Sequence, residues 1–171
     1  MQFHRPALLD PHQHHKDEFN SGQTTLDDWL HHYAGQNRRG NTAAVWVITD
    51  TDNMVVCYAS LAMTSVDRSA SPKLLSKGAP AQIPALLIGR LATDTRATRL
   101  GLGTEMIRHI LATAAELNIK AACRAVIVNA LNDDALNWWQ RFGFEPFNAD
   151  DADSMDLYLL TSDITKTLSS M

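Results

Sequence analysis

Residues 94–106 read DTRATRLGLGTEM: an acidic residue and two arginines running through Gly101, Leu102 and Gly103 into a helical pattern. Three phosphate-binding arrangements compete for such a stretch. A Walker A loop requires Gly-Lys-Ser/Thr, which Gly103-Thr104-Glu105 does not supply. A dinucleotide fingerprint requires a third glycine where Met106 stands. The third arrangement is a strand, then a loop whose amides point inward, then a helix N-terminus. Glycines there admit the backbone to a pyrophosphate, and the helix dipole adds partial positive charge. The alternative to all three is a left-handed turn that merely joins a strand to a helix.

The flanks supply the strand and the helix. ALLIGRLAT (85–93) has a strand pattern interrupted by Gly89, which implies a bulge or a close backbone approach. Met106, Ile107, Ile110, Leu111 and Ala114 recur at helical spacing as one apolar face. RAVIVNA (124–130) is a further strand. Asn132 is a good N-cap for a helix reaching Arg141, Gly143 stops that helix, and MDLYLLT (155–161) is a last strand. Upstream, QFHRPALL (2–9) reads as a short strand. Leu26, Trp29, Leu30, Tyr33 and Ala34 form a helical stripe, with Thr25 and Asp28 spaced like a capping box. AAVWVIT and MVVCYASLAMT flank the turn DTDN and predict an antiparallel hairpin. The segment 65–84, with Pro72, Pro80 and Pro84, is expected to be a loop or a short irregular helix. The order is β-α-β-β-β-α-β-α-β, an α/β chain with a mixed sheet.

Bulk properties narrow the function classes. The chain has 171 residues, enough for one domain over 1–171 with a substantial core. With 45% hydrophobic and 20% charged residues, disorder is not the default. A net charge of -4 exerts no global pull toward nucleic acid or an anionic membrane. Arg38, Arg39, Lys73, Lys77, Arg90, Arg96, Arg99 and Arg108 nevertheless fall in the first two thirds, so a locally basic face is compatible with an acidic protein. No apolar run reaches the roughly 20 residues that span a bilayer, and the N-terminus has no signal-peptide pattern. His12, His14 and His15 lack a partner carboxylate or cysteine at useful spacing, so a solvated loop is expected and no metal. Cys57 and Cys123 lie in apolar segments without metal-type spacing and read as buried thiols of a reducing, cytoplasmic setting.

LLIGRLATDTRATRLGLGTEMIRHIL followed by VIVNALNDDALNWWQRFGF resembles the GNAT acetyltransferases, in their Q/R-x-x-G-x-G/A loop and their N-x-x-A-x-x-x-Y-x-x-x-G-F helix. The LDDWL helix, VVCYASLAM and the GRLATD strand are similar to the subgroup of GNAT toxins from bacterial toxin–antitoxin pairs. The resemblance covers nearly the whole chain. It implies a single-domain GNAT fold: a mixed, mostly antiparallel twisted sheet flanked by helices and splayed between the strands at 85–93 and 124–130. It also implies acetyl-CoA as donor, the α-amine of aminoacyl-tRNA as acceptor and a ribbon-helix-helix antitoxin as partner, and it leaves a homodimer open. A small-molecule or protein amine is the alternative acceptor.

The same resemblance distributes roles. The pyrophosphate would lie on amides of Thr98, Arg99, Leu100, Gly101, Leu102, Gly103 and Thr104, with Arg96 and Arg99 as charge partners. Pantetheine would run beside Leu91, Ala92 and Thr93, whose amides polarise the thioester carbonyl as an oxyanion hole does. Asn132 would face the pantetheine arm, its other role being a plain N-cap. Apart from the resemblance, the basic residues Arg38, Arg39 and Arg90, with Lys73 and Lys77, are expected to form a face that contacts phosphates of the acceptor.

Two features depart from the family pattern. Thr98 stands where Gln or Arg is usual, and Arg99 and Leu100 stand where Gly and a basic residue are frequent, changes that a backbone cradle tolerates. Trp139 stands where the family tyrosine protonates the departing CoA thiolate. An indole donates a hydrogen bond but is no useful acid, which leaves a catalytically impaired binding protein as a rival reading. Tyr33 and Tyr58 are the candidate replacement acids, though both lie on apolar patterns. The chemistry tolerates the loss. An α-amine of pKa about 8 is partly neutral in the cell, and a thiolate of pKa about 8.5 can leave unassisted. Losing a general acid costs about 10²–10⁴-fold.

Overall fold

The computed structural model describes residues 1–148 and 150–171. Among the described residues seven strands hydrogen-bond in the order β1-β2-β3-β4-β5-β7-β6. They are β1 (Ala7–Leu8), β2 (Ala44–Thr49), β3 (Val55–Asp67), β4 (Gln82–Thr93), β5 (Ala125–Asn129), β6 (Glu145–Pro146) and β7 (Asp156–Leu160). The helices are α1 (Thr24–Asp28), α2 (Ala34–Arg39), α3 (Lys73–Ser76), α4 (Leu102–Lys120), α5 (Asp133–Gln140) and α6 (Ile164–Ser169), with a π turn (Trp29–Tyr33) between α1 and α2. The sheet is mixed and mostly antiparallel, and the chain is α/β as expected. Among the described residues no helix is long and apolar enough to cross a membrane.

The chain divides into two compact units. The first comprises Met1–Ala62 and Gly89–His109. Its hairpin is the expected one: β2 and β3 pair antiparallel, Val45 opposite Ser60 and Val47 opposite Tyr58. The carboxylate of Asp50 organises the turn by accepting from the amides of Asp52 and Met54, each at 2.9 Å. Asn53 takes the left-handed conformation there (φ 62°). The core beside this hairpin includes Phe19, Trp29, Leu30, Val45, Val47 and Tyr58. Gly89 fulfils the close approach read from its sequence position, since a Cβ there would stand 2.9 Å from Ser60 Oγ.

Three sequence expectations change in this unit. The strand over 2–9 contracts to Ala7–Leu8 with an isolated bridge between Phe3 and Asp50; Pro6 lacks the N–H that a continuous ladder requires. The capping box of Thr25 and Asp28 does not form. Gln23 is the N-cap without a side-chain bond, and Asp27 Oδ1 instead accepts from Ser21 N–H at 2.9 Å and Ser21 Oγ at 2.7 Å. The apolar stripe holds at Trp29, Leu30 and Ala34 but fails at Tyr33, which is 54% exposed. The π turn places an extra residue in that turn and rotates Tyr33 off the buried face.

The second unit comprises Met63–Ile88 and Ile110–Met171. Here β4 and β5 run parallel from Ala85 opposite Ala125 to Ile88 opposite Val128. Pairing ends there, one residue before β5 itself ends at Asn129, while β4 continues to Thr93. β7 lies antiparallel to β5 and carries β6 on its other side. Leu75, Ile83, Ala85, Ala125, Ile127 and Tyr158 form its core. The segment 65–84 is more ordered than expected. β3 extends to Asp67 and β4 begins at Gln82, with α3 between them. The Gln82 amide donates to Asp67 Oδ1. Arg124 donates to the carbonyls of Leu75 and Lys77 at 2.8 and 2.7 Å. Gly143 takes φ 91°, and a Cβ there would meet Thr167 Oγ1 of α6 at 3.3 Å. Neither β6 nor α6 was expected from sequence; the first is two residues long and includes Pro146.

α4 matches its sequence pattern. Met106, Ile107, Ile110, Leu111 and Ala114 are fully buried.

Candidate functional site

At the end of β4, Thr93 Oγ1 donates to the sulfur of Cys57 at 3.6 Å, and the amide of Asp94 donates to Val56 O at 2.8 Å. Leu91 and Thr93 are half-buried and Ala92 is buried. A 3₁₀ turn over Thr95–Ala97 follows, closed by the side chain of Asp94. The chain then passes through two left-handed residues, Arg99 (φ 60°) and Gly101 (φ 80°), before α4 begins at Leu102. A side chain at Gly101 would meet nothing within 4 Å, so the space above it is open. The first i→i−4 bond of α4 runs from Glu105 N–H to Gly101 O at 3.0 Å. The amides of Leu102, Gly103 and Thr104 precede that bond and sit at the positive end of the dipole. Thr98, Arg99 and Leu100 are exposed beside them. This arrangement suits a polyanion.

Beneath the loop, Cys57 lies 4.0 Å from Leu102 O. Burial pushes its thiol up to about 12, so it is protonated and inert at neutral pH.

Arg96 is placed differently from the expectation that it pairs with phosphate. Its Nε donates to Asp94 Oδ1 and its Nη2 to Asp94 Oδ2, both at 2.9 Å. Its Nη1 lies 3.8 Å from Glu18. The Asp94 side chain has no solvent exposure. Burial alone would raise its carboxyl, but the bonds from the Arg96 guanidinium and from the Arg96 and Asn20 amides outweigh that and hold it below the usual carboxylate range. Arg96 thus fastens the loop, while Arg99 is exposed in its left-handed bend.

Of the residues expected to contact the acceptor, Arg90 packs its guanidinium over the Trp29 ring, 4.4 Å from the centroid. Trp29 is stacked on Tyr58 at 5.9 Å. The Tyr58 hydroxyl donates to Leu26 O at 2.6 Å, and burial pushes its phenol further up from an already high value. Its proton is committed, so Tyr58 is a core residue. Tyr33 is exposed in the π turn. Arg38 and Arg39 lie in the last turn of α2, the first half-buried and the second exposed. Lys73 and Lys77, once grouped with them, fall in the other unit.

In the second unit, Asn132 Oδ1 accepts from Ala135 N–H at 2.9 Å, so the N-cap role is occupied and its amide donors are what it offers a ligand. Trp139 is buried, edge-on to Trp138 at 5.1 Å and to Phe144 at 5.2 Å. It is part of an aromatic cluster that includes Phe142, edge-on to Trp138 at 4.9 Å. Asp10 sits beside two of the three neighbouring histidines: its Oδ1 accepts from the His12 N–H at 2.9 Å, and its own N–H donates to His14 Nδ1 at 3.0 Å. Among the described residues the metal-capable donors that do converge are Asp28, His31 and His32, within 4.8 Å of one another.

The profile of the Acetyltransferase (GNAT) family matches residues 8–144. The chain belongs to that family. A tRNA-acetylating toxin of Mycobacterium tuberculosis is 31% identical to this acetyltransferase over 145 residues, 85% of each chain. Among solved structures, AtaT complexed with acetyl-methionyl-tRNAfMet has a TM-score of 0.86 at 20% identity, covering 96% of this chain and 98% of that one. A tyrosine-to-phenylalanine mutant of KacT reaches 0.88 at 21% identity, covering 97% and 99%. AtaTR bound with acetyl-CoA reaches 0.82 at 22%, covering 96% of each. These likenesses establish the GNAT fold for the acetyltransferase.

Sequence reasoning missed Asp94. A carboxylate beside two arginines reads as a solvated loop, and its partner Asn20 lies 74 positions away.

Proposed function

We propose that this acetyltransferase moves the acetyl group of acetyl-CoA to the α-amine of aminoacyl-tRNA, as a toxin restrained by a ribbon-helix-helix antitoxin. The observation that carries this reading is the 31% identity to a tRNA-acetylating toxin across 85% of both chains. The loop geometry supports the donor. The amides of Leu102, Gly103 and Thr104 and the Arg99 guanidinium hold the pyrophosphate, in the open space above Gly101. Backbone groups of Leu91–Thr93 pair with pantetheine as an added strand would and polarise the thioester carbonyl.

Acetyl-CoA supplies an activated acyl group and a thiolate leaving group. The protein's contribution is position and polarisation. The acceptor amine, of pKa about 8, attacks in its neutral form without a strong base. Trp139 stands in place of a proton donor, so the thiolate leaves with help from solvent alone, at a cost of about 10²–10⁴-fold against an enzyme with an acid. Arg38, Arg39 and Arg90 meet phosphates of the acceptor stem.

The test is incubation of the protein with radiolabelled acetyl-CoA and, separately, aminoacylated tRNA, uncharged tRNA and small primary amines. Label should enter the aminoacylated tRNA alone. Label in small amines would give the alternative acceptor, and binding without transfer would identify the impaired form that Trp139 suggests.

A further inference from the structure

We propose that Asp94 is a positioning residue for acetyl-CoA, its buried carboxylate clasping the turn that leads into Gly101–Gly103 to the segment that enters α1. The proposal rests on the reading of acetyl-CoA as donor.

Four hydrogen bonds converge on this one carboxylate. Oδ1 accepts from Arg96 N at 2.8 Å and Arg96 Nε at 2.9 Å, and Oδ2 from Asn20 N and Arg96 Nη2, each at 2.9 Å. The backbone doubles the link: Thr95 N–H donates to Asn20 O at 2.9 Å, and Ala97 N–H to Asp94 O at 2.9 Å. Ala97, 1% exposed, anchors the turn from below. On the far side, Asn20 Oδ1 accepts from Gly22 N–H at 2.9 Å. The neighbouring Ser21 bonds Asp27 of α1. A continuous relay therefore joins α1, the 20–22 segment and the loop.

This places Asp94 upstream of the binding groups. Thr98, Arg99 and Leu100 are exposed, and two left-handed residues let the chain bend there. Between β4 and α4, the clasp at 94–97 is the part of the loop held by a buried charge. A carboxylate can satisfy all four donors because both oxygens only accept. An amide of the same shape presents –NH₂ to one pair of donors, which reverses half of the clasp while keeping its volume.

The test compares the wild type with Asp94→Asn, Arg96→Gln and Glu18→Gln, each as the full chain. Acetyl-CoA affinity is measured by calorimetry, folding by circular dichroism, and KM and kcat on whichever acceptor takes the label. Asp94→Asn should weaken acetyl-CoA binding about tenfold, the scale of losing charge-assisted hydrogen bonds. Its kcat at saturating acetyl-CoA should stay within about threefold of the wild type, because the amides still polarise the carbonyl once the donor is seated. Arg96→Gln should weaken binding in the same sense by less, and Glu18→Gln should leave it unchanged. A purely structural fastener would lower melting temperature without moving KM apart from kcat. Should Asp94→Asn fail to fold, Arg96→Gln decides alone. Folded variants that bind acetyl-CoA as the wild type does would overturn the proposal and leave the donor reading intact. A wild type that binds no acetyl-CoA would overturn both.

Discussion

The guanidinium carbon of Arg90 lies 4.4 Å from the centre of the Trp29 ring, and that indole is itself stacked on Tyr58. A cation of β4 is thereby fixed to the helical segment that carries Trp29. A stacked guanidinium keeps its edge N–H groups available for phosphate. Arg90→Ala is expected to lower aminoacyl-tRNA affinity and to reduce the salt dependence of binding by about one unit of slope. Its stability loss should be small, about 0.5–1 kcal/mol for a partly exposed cation–π contact. Binding isotherms at several salt concentrations check this; an unchanged slope would remove Arg90 from the phosphate contacts.

Gly103 occupies the second position of α4, where a carboxylate has opposite effects on two observables. Negative charge at a helix N-terminus favours the helix by about 0.3–1 kcal/mol, but it repels a pyrophosphate on the same amides. Gly103→Asp should therefore melt no lower than the wild type while losing measurable acetyl-CoA binding. Calorimetry with an unaltered dissociation constant would count against the cradle.

Trp139 carries two separable expectations. Its burial between Trp138 and Phe144 means that Trp139→Ala should cost about 3–5 kcal/mol, read by denaturant titration. Trp139→Tyr restores a phenol of pKa about 10, able to protonate a departing thiolate. Acetylation should then quicken by about tenfold or more, with acetyl-CoA affinity little changed. A wild type that is already fast and is slowed by the phenol would locate the proton donor elsewhere.

Asp94 gives a pH signature. Its folded carboxyl titrates below the unfolded value of about 3.9, so the unfolded chain binds the proton first on acidification. The stability it contributes is complete above about pH 4 and declines as pH falls through the lower, folded value. In melts from neutral to strongly acidic pH, the gap between wild type and Asp94→Asn should be widest near neutrality and close below about pH 4. A gap independent of pH would mean that packing, not charge, holds the clasp.

How legible this molecule was in its sequence depends on the range of the interactions. The buried face of α4 could be read because Met106, Ile107, Ile110, Leu111 and Ala114 repeat at the helix period. Asn132 could be read because a cap acts over three residues. The hairpin followed from two apolar runs and a short polar turn. Tyr33 was misjudged because its rotation comes from a change of helix type, which no residue preference in WLHHY encodes. Asp94 was missed because its value depends on Asn20, brought beside it only by the fold. The pairing of Arg96 with Asp94 was not read because a carboxylate two residues from an arginine carries no sign of its own burial. The strands of 65–84 extended further than read because side chains such as Gln82 and Asp67 bond across them, and prolines in between obscured the continuity.

The π turn at Trp29–Tyr33 also bears on how this chain is to be aligned with others. An i→i+5 turn, closed here by Ala34 N–H to Trp29 O, holds one residue more than its α counterpart. A relative one residue shorter between Leu26 and Ala34 would bury the same side chains before and after the gap, and only the outward-facing tyrosine would have no counterpart. An insertion of this kind is confined to the turn that contains it. Comparisons that force ungapped pairing through WLHHY would shift Arg38 and Arg39 by about 100° around the helix and compare them with the wrong face.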